Sequence, residues 1–388
     1  MYNWSLNINN FTNQDRLSIS EFITDPDNKW TQDKQVKKFE QEFASFVGSK
    51  YSVFVSSGST ANTILAQYTK DTTNKRKVIL PSTTWQTSCS PWIREGFEPI
   101  FIDVDMKDFC IDKDMLIRYL EKFHNDVACV FPTSLIGFSP DMHEFMNISK
   151  KYDVKIMFDN CENTLGKYDN RNVSSYFTST TSTYFGHQIQ SVEGGFIFTN
   201  CDIEYEYFLM LRNHGMTRSL SVYSIDSVKY RNIEVDGSFD FYCLGSNYRN
   251  TDINAFIGSI DLKRASQYAE KRKKLYEIFQ QNLNRDLFYL PETRNKCEDV
   301  PFCLPIIVQY EKLIHKAKKI CEELKIENRP IISGFLGYQT CYKNYFSLPN
   351  IYYNNSIMLH HKGFYVGLHH GLTEQDILYL CSKLNSID

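Results

Sequence analysis

Six short apolar runs, at residues 51–55, 77–80, 99–103, 127–131, 155–159 and 195–199, recur along the first half of this 388-residue chain. Helix-like stretches flank or separate several of them: 36–46, with apolar residues at i, i+3, i+7 and i+10, a stretch ending near residue 70, then 141–152 and 204–212. A strand that is apolar throughout needs cover on both faces, and a parallel neighbour is reached only through a crossover. The alternation therefore dictates an α/β domain with a largely parallel sheet. After about Asp252 the texture changes to a charged helical stretch over 253–283, then a Pro-punctuated segment with a strand at 302–308, a helix at 311–324 and a closing strand at 363–368. Single cores stop growing near roughly 250–300 residues. The expected division is a large domain at residues 1–252 and a smaller C-terminal α/β domain at residues 253–388.

Charge and cysteine content exclude several classes. A net charge of -3 with only short basic runs, such as 271–274, gives no electrostatic footprint for nucleic acid. The first 30 residues show no basic stretch followed by an apolar one, and no apolar run long enough to span a bilayer occurs, so we expect a cytosolic protein with no membrane partner. Eleven cysteines without a C-x-x-C pair argue against a disulfide framework, a zinc ribbon and an iron-sulfur cluster. The neighbouring pairs His360-His361 and His369-His370 are weak grounds for a metal, and we expect none. Asp103 and Asp105 read either as paired carboxylates or as an ordinary strand end.

Four short segments carry chemistry. Ser57, Gly58, Ser59 and Thr60 lie between a strand and a helix start, where free N–H groups suit a phosphate or serve only to cap the helix. Trp85 is placed to stack on a flat ring or to fill core. The run 157–162 ends an apolar strand in Asp159, a carboxylate that can hold a pyridine nitrogen protonated or act as a structural cap, with Glu162 following to orient ring substituents or start a turn. In the run 184–195, Ser182 precedes and His187 occupies a small-residue turn ahead of a glycine pair.

Together these segments resemble the fold-type I enzymes that use pyridoxal 5'-phosphate, and within them the sugar-nucleotide aminotransferase family. The likeness runs over nearly the whole chain, through stretches 46–62, 100–105, 211–218 and 328–331. It implies a fold-type I large domain, a homodimer with each active site at the interface, and roles for matching positions. Ser57, Gly58, Ser59 and Ser182 would bind phosphate, Trp85 would stack on the ring, Asp159 would pair with its nitrogen, and Glu162 would orient it. Asn247 would reach the phosphate of the neighbouring subunit, and Arg218 and Arg329 would bind anionic parts of substrate or glutamate.

Most members carry a cofactor lysine where this chain has His187, and no lysine lies between Lys167 and Lys229. An imine anchor is thereby excluded at this point, whereas imidazole can still move a proton near neutral pH. The replacement resembles the family's 3-dehydratase branch. It implies pyridoxamine 5'-phosphate held without a covalent bond, removal of a C3 hydroxyl from a nucleotide-linked 4-keto-6-deoxy sugar (GDP being the favoured nucleotide), release of ammonia, and L-glutamate as amino donor. The alternatives are a cofactor-binding relative without activity and an aminotransferase-like enzyme for another nucleotide sugar. That branch usually shows two adjacent histidines; here the second position is Gln188.

Overall fold

The computed structural model describes residues 4–226, 228–230, 234–235, 239–292, 294–346 and 352–387. The large sheet contains β1 (Tyr51–Val55), β2 (Lys77–Pro81), β3 (Glu98–Ile102), β4 (Val127–Val130), β5 (Phe158–Asp159), β6 (Ser179–Ser182) and β7 (Gly195–Thr199). β3, β2 and β4 pair in parallel, as do β5 and β6, and the parallel bridges Val130–Ile156 and Thr133–Asp159 join the two groups. β7 runs antiparallel between β6 and β1. The order is thus β3-β2-β4-β5-β6-β7-β1, with β7 opposed to the other six.

Successive side chains of these strands enter different cores, as a period of two requires. Val53 and Val55 pack with Ile64, Leu65, Phe208 and Leu209 of the helices Gly58–Thr72 and Asp202–Arg212. Phe54 instead joins Phe39, Phe43 and Phe196 beneath the helix Lys34–Val47, whose apolar stripe the sequence had marked. Ile79 and Ile100 face Leu116, Leu120, Phe145 and Ile148 on the opposite side.

The C-terminal sheet is antiparallel throughout, in the order β8 (Phe288–Tyr289), β9 (Cys303–Val308), β11 (Gly363–Gly367), β10 (Asn328–Pro330). The helical stretch expected over 253–283 is two helices, Asp252–Leu262 and Ala265–Asn282, and the break sets Arg264 against Asp15 at 2.6 Å. Packing crosses residue 252 in both directions. Ala255 and Leu262 lie in the core of Phe39 and Phe54, whereas Trp4 is buried among Leu304, Val366 and Leu368.

Candidate active site

A cavity of about 450 Å³ opens at the carboxyl ends of β5 and β6, where open α/β sheets bind ligands. Ser57, Gly58, Ser59, Trp85, Asp159, Glu162, Ser182, His187 and Arg329 all line it, so the fold brings nine of the eleven expected positions together. Among the described residues no lysine lines it.

One end of the cavity, where a phosphate is expected, is built from a helix N-terminus. Ser57 caps Gly58–Thr72: its Oγ accepts from the Thr60 N–H at 3.1 Å, and its own N–H donates to Thr60 Oγ1 at 2.9 Å. Ser59 donates to Thr87 Oγ1 at 2.8 Å. With both hydroxyls engaged inside the protein, the backbone N–H groups of the first turn and the positive helix end are what suits this end of the cavity to an anion. Ser182 accepts from the Tyr184 N–H at 3.3 Å, which leaves its O–H to donate. The wall is tight here: a Cβ on Gly58 would lie 2.8 Å from Cys161 Sγ and 3.0 Å from Ser182 Cβ.

Asp159 sits at the end of β5, buried, and is oriented by three donors. Asn62 Nδ2 and Ser88 Oγ reach Oδ2 at 2.8 and 2.7 Å, and the Cys161 N–H reaches Oδ1 at 3.0 Å. Asn62 is held in turn by Thr180 Oγ1 at 2.6 Å. Neither Asn62 nor Ser88 was singled out from sequence, because a polar residue inside a helix carries no periodic signal of its partner. Trp85 stands at the cavity wall with 57% of its surface exposed, which removes the reading of it as core and leaves its face free to stack.

Glu162 is buried, and its Oε2 accepts from the Ile136 N–H at 2.7 Å. Burial, with the Asp159 charge adding to it, pushes its pKa up to about 8 against the lowering effect of that N–H, so the carboxyl carries a proton at neutral pH. Ile136 has φ 61°, unusual for a β-branched residue.

His187 is half-buried beside Phe302 and Tyr184, with ring centroids 5.5 and 6.4 Å away. Its Nδ1 is buried and has no hydrogen-bond partner in the protein. Burial brings the imidazole pKa down to about 4, and the opposing influences of the Asp159 charge and the Cys161 backbone are smaller. A neutral imidazole lining a cavity is able to accept a proton. Gln188 is fully buried: its Oε1 accepts from the Leu165 N–H at 3.0 Å and its Nε2 donates to the Val300 carbonyl at 2.6 Å. It fastens the histidine turn to two other segments. Gln188→Leu strands one buried donor and one buried acceptor, so we expect a stability loss of about 1–3 kcal/mol in denaturant melts.

Arg329 lines the cavity with Nη2 2.7 Å from Glu327 Oε1. Asn247 and Arg218 lie outside that lining; both are exposed, and the Arg218 guanidinium stacks over Phe239 at 5.1 Å. Asp103 is no paired acid. It caps the helix Asn354–Lys362, accepting from the N–H groups of Asn355 and Ser356 at 2.8 and 2.9 Å. Among the described residues, no three His, Cys, Asp or Glu side chains converge as a metal cluster, and no helix is long and apolar enough to cross a membrane.

A family model described as the DegT/DnrJ/EryC1/StrS aminotransferase family matches residues 19–385. A GDP-4-keto-6-deoxy-D-mannose 3-dehydratase of Yersinia pseudotuberculosis is 31% identical over 319 residues, 79% of this chain and 79% of its own. A solved structure of the Escherichia coli GDP-4-keto-6-deoxy-D-mannose-3-dehydratase with bound hydrated PLP superposes with a TM-score of 0.89 at 26% identity, over 99% of this chain and 100% of that one. A GDP-4-keto-6-deoxymannose-3-dehydratase with a trapped PLP-glutamate geminal diamine gives 0.88, also at 26%, over 98% and 100%.

Proposed function

This chain belongs to the DegT/DnrJ/EryC1/StrS aminotransferase family, and from that premise we propose that it is a PLP/PMP-dependent 3-dehydratase of GDP-4-keto-6-deoxy-D-mannose. The observation that carries the reading is His187: the cavity keeps a proton-transfer group and lacks the amine that would anchor an aldehyde.

The residues present fit the cofactor, because a helix N-terminus with Ser182, an exposed tryptophan face and a buried, donor-oriented carboxylate suit a phosphorylated pyridine. When bound in its amine form, that group supplies a nitrogen to condense with the sugar C4 ketone and a ring that accepts electrons. Asp159 would hold the ring nitrogen protonated, its three donors keeping the carboxylate from turning away, and Trp85 would cover one face of the ring and exclude water from it. His187, which lines the cavity, accepts a proton and returns it. Burial holds Glu162 toward its neutral form, so it adds little repulsion beside Asp159. Arg329 exchanges Glu327 for an anionic group of the sugar nucleotide or of glutamate. The net change is 4-keto sugar plus L-glutamate giving 3-deoxy-4-keto sugar, 2-oxoglutarate and ammonia, a step on the way to colitose for the O-antigen of lipopolysaccharide.

The working unit is a homodimer. Supporting this, Asn247 and Arg218 stand away from the cavity of their own chain, and Phe239, Phe241 and Leu244 are exposed beside them, Leu244 to 93%. Eleven unpaired cysteines favour the reducing cytoplasm.

The test is direct. Purified protein loaded with PLP should lose the aldehyde-form absorbance on adding L-glutamate, and then release ammonia on adding GDP-4-keto-6-deoxy-D-mannose. Formation of an amino sugar without ammonia would overturn the dehydratase reading. The pH profile is a second check. Because the folded environment holds His187 near 4, its neutral, working form persists as pH falls, and the acid limb of kcat/KM should lie far below the ~6.5 of an ordinary histidine.

A further inference from the structure

The turn that carries His187 is held from outside by the N-terminal arm. Asn7 Nδ2 donates to the carbonyl of Phe185 at 2.8 Å and to that of His187 at 3.2 Å. Just beyond, Gln190 Nε2 donates to the Ile8 carbonyl at 2.9 Å, while Asp261 Oδ2 gathers the Gln190 N–H at 2.8 Å and Asn10 Nδ2 at 2.9 Å. The other end of the arm is fixed to the C-terminal sheet. Trp4 Nε1 donates to the Gly367 carbonyl at 2.9 Å, and the Glu327 N–H donates to the Trp4 carbonyl at 2.9 Å. Leu6, between the two anchors, lines the active cavity.

We propose that Asn7 is a positioning residue for the reaction, fixing the main chain of His187 through its paired carbonyl contacts so that the imidazole meets its proton at a set distance. The inference rests on the dehydratase reading only for its kinetic arm. Its physical ground is that His187 Nδ1 has no hydrogen-bond partner in the protein, so the ring is aimed by its own main chain, by packing and by the Cys161 backbone. Gln188 fastens the next residue to Leu165 and Val300, and the His187 N–H donates to the Tyr184 carbonyl within the turn, while Asn7 supplies the tie from another segment to the His187 carbonyl itself. Misplacement by about 1 Å costs on the order of 100-fold in rate.

Asn7→Asp keeps the shape and removes the donor, placing a carboxylate against two carbonyls. Asn10→Ala loosens the arm without touching His187 and serves as the control. Holoenzyme of each variant is compared with wild type in kcat and KM for the 4-keto sugar, and in the NMR titration of the His187 imidazole, assigned by difference with His187→Asn. For Asn7→Asp the expected result is a kcat at least about tenfold lower with KM and cofactor affinity unchanged, and a His187 titration moved up from the region of 4 toward an ordinary histidine. Asn10→Ala should stay within threefold of wild type. An Asn7→Asp enzyme with wild-type kcat and titration overturns the proposal, as does a loss matched equally by Asn10→Ala, which would mark general loosening. An inactive wild type would sink the functional reading instead, and the titration would still decide the positioning.

Discussion

His187→Asn should abolish sugar-dependent ammonia release to within the range of roughly 10²- to 10⁴-fold that a general base contributes, while leaving cofactor binding close to wild type. The amide matches imidazole in reach but takes no proton at any working pH. The phosphate end of the cavity and Asp159 do not depend on His187: their contacts run through Ser57, Thr60, Asn62, Ser88 and the Cys161 N–H. The fold should tolerate the change, since His187 Nδ1 has no protein partner to strand. Single-turnover ammonia assays beside a cofactor titration separate the two quantities. A variant retaining a tenth of the wild-type rate would remove His187 from the chemistry.

Asp159→Asn has the opposite signature. The carboxylate is buried with donors on both oxygens, and an amide must turn an NH₂ toward Asn62 and Ser88 or toward the Cys161 N–H, where only acceptors are satisfied. It also loses the charge that keeps a ring nitrogen protonated. A charge-assisted hydrogen bond contributes roughly 1.5–3 kcal/mol, so cofactor affinity should fall by about 10- to 100-fold, with a lowered melting temperature in the unloaded protein. Loss of turnover with retained affinity and stability would show that Asp159 acts through something other than the ring.

Which parts were legible in the sequence follows from what each residue pairs with. Apolar strands and the amphipathic helix at Lys34–Val47 announce themselves because their burial is paid for by their own side chains. β6 gave no such signal. It is Ser179, Thr180, Thr181 and Ser182, entirely buried, and it is stable only because distant groups take up its hydroxyls, as Asn62 Oδ1 does for Thr180 at 2.6 Å. The run at 155–159 shrinks to Phe158–Asp159, with Ile156 held by a single bridge to Val130. At the site, four residues that line the cavity were readable through a motif: His187, Asp159, Trp85 and Ser182. The residues that aim them, Asn62, Ser88, Asn7 and Gln188, were not, since each acts on a partner far along the chain. Gln188 was visible only as a departure, and its two buried hydrogen bonds show why a glutamine suits that position.

The arm anchored by Trp4 also orders events in time. Trp4 and Gly367 are 363 positions apart, and pairing across such a separation is slow to form because the intervening chain must first be arranged. During synthesis β7 can pair with β1 well before β11 exists to receive the tryptophan. The strands that carry Asp159 and Ser182 therefore exist long before the strand that receives Trp4, and the outer anchor of the N-terminal arm is among the last contacts the chain can make.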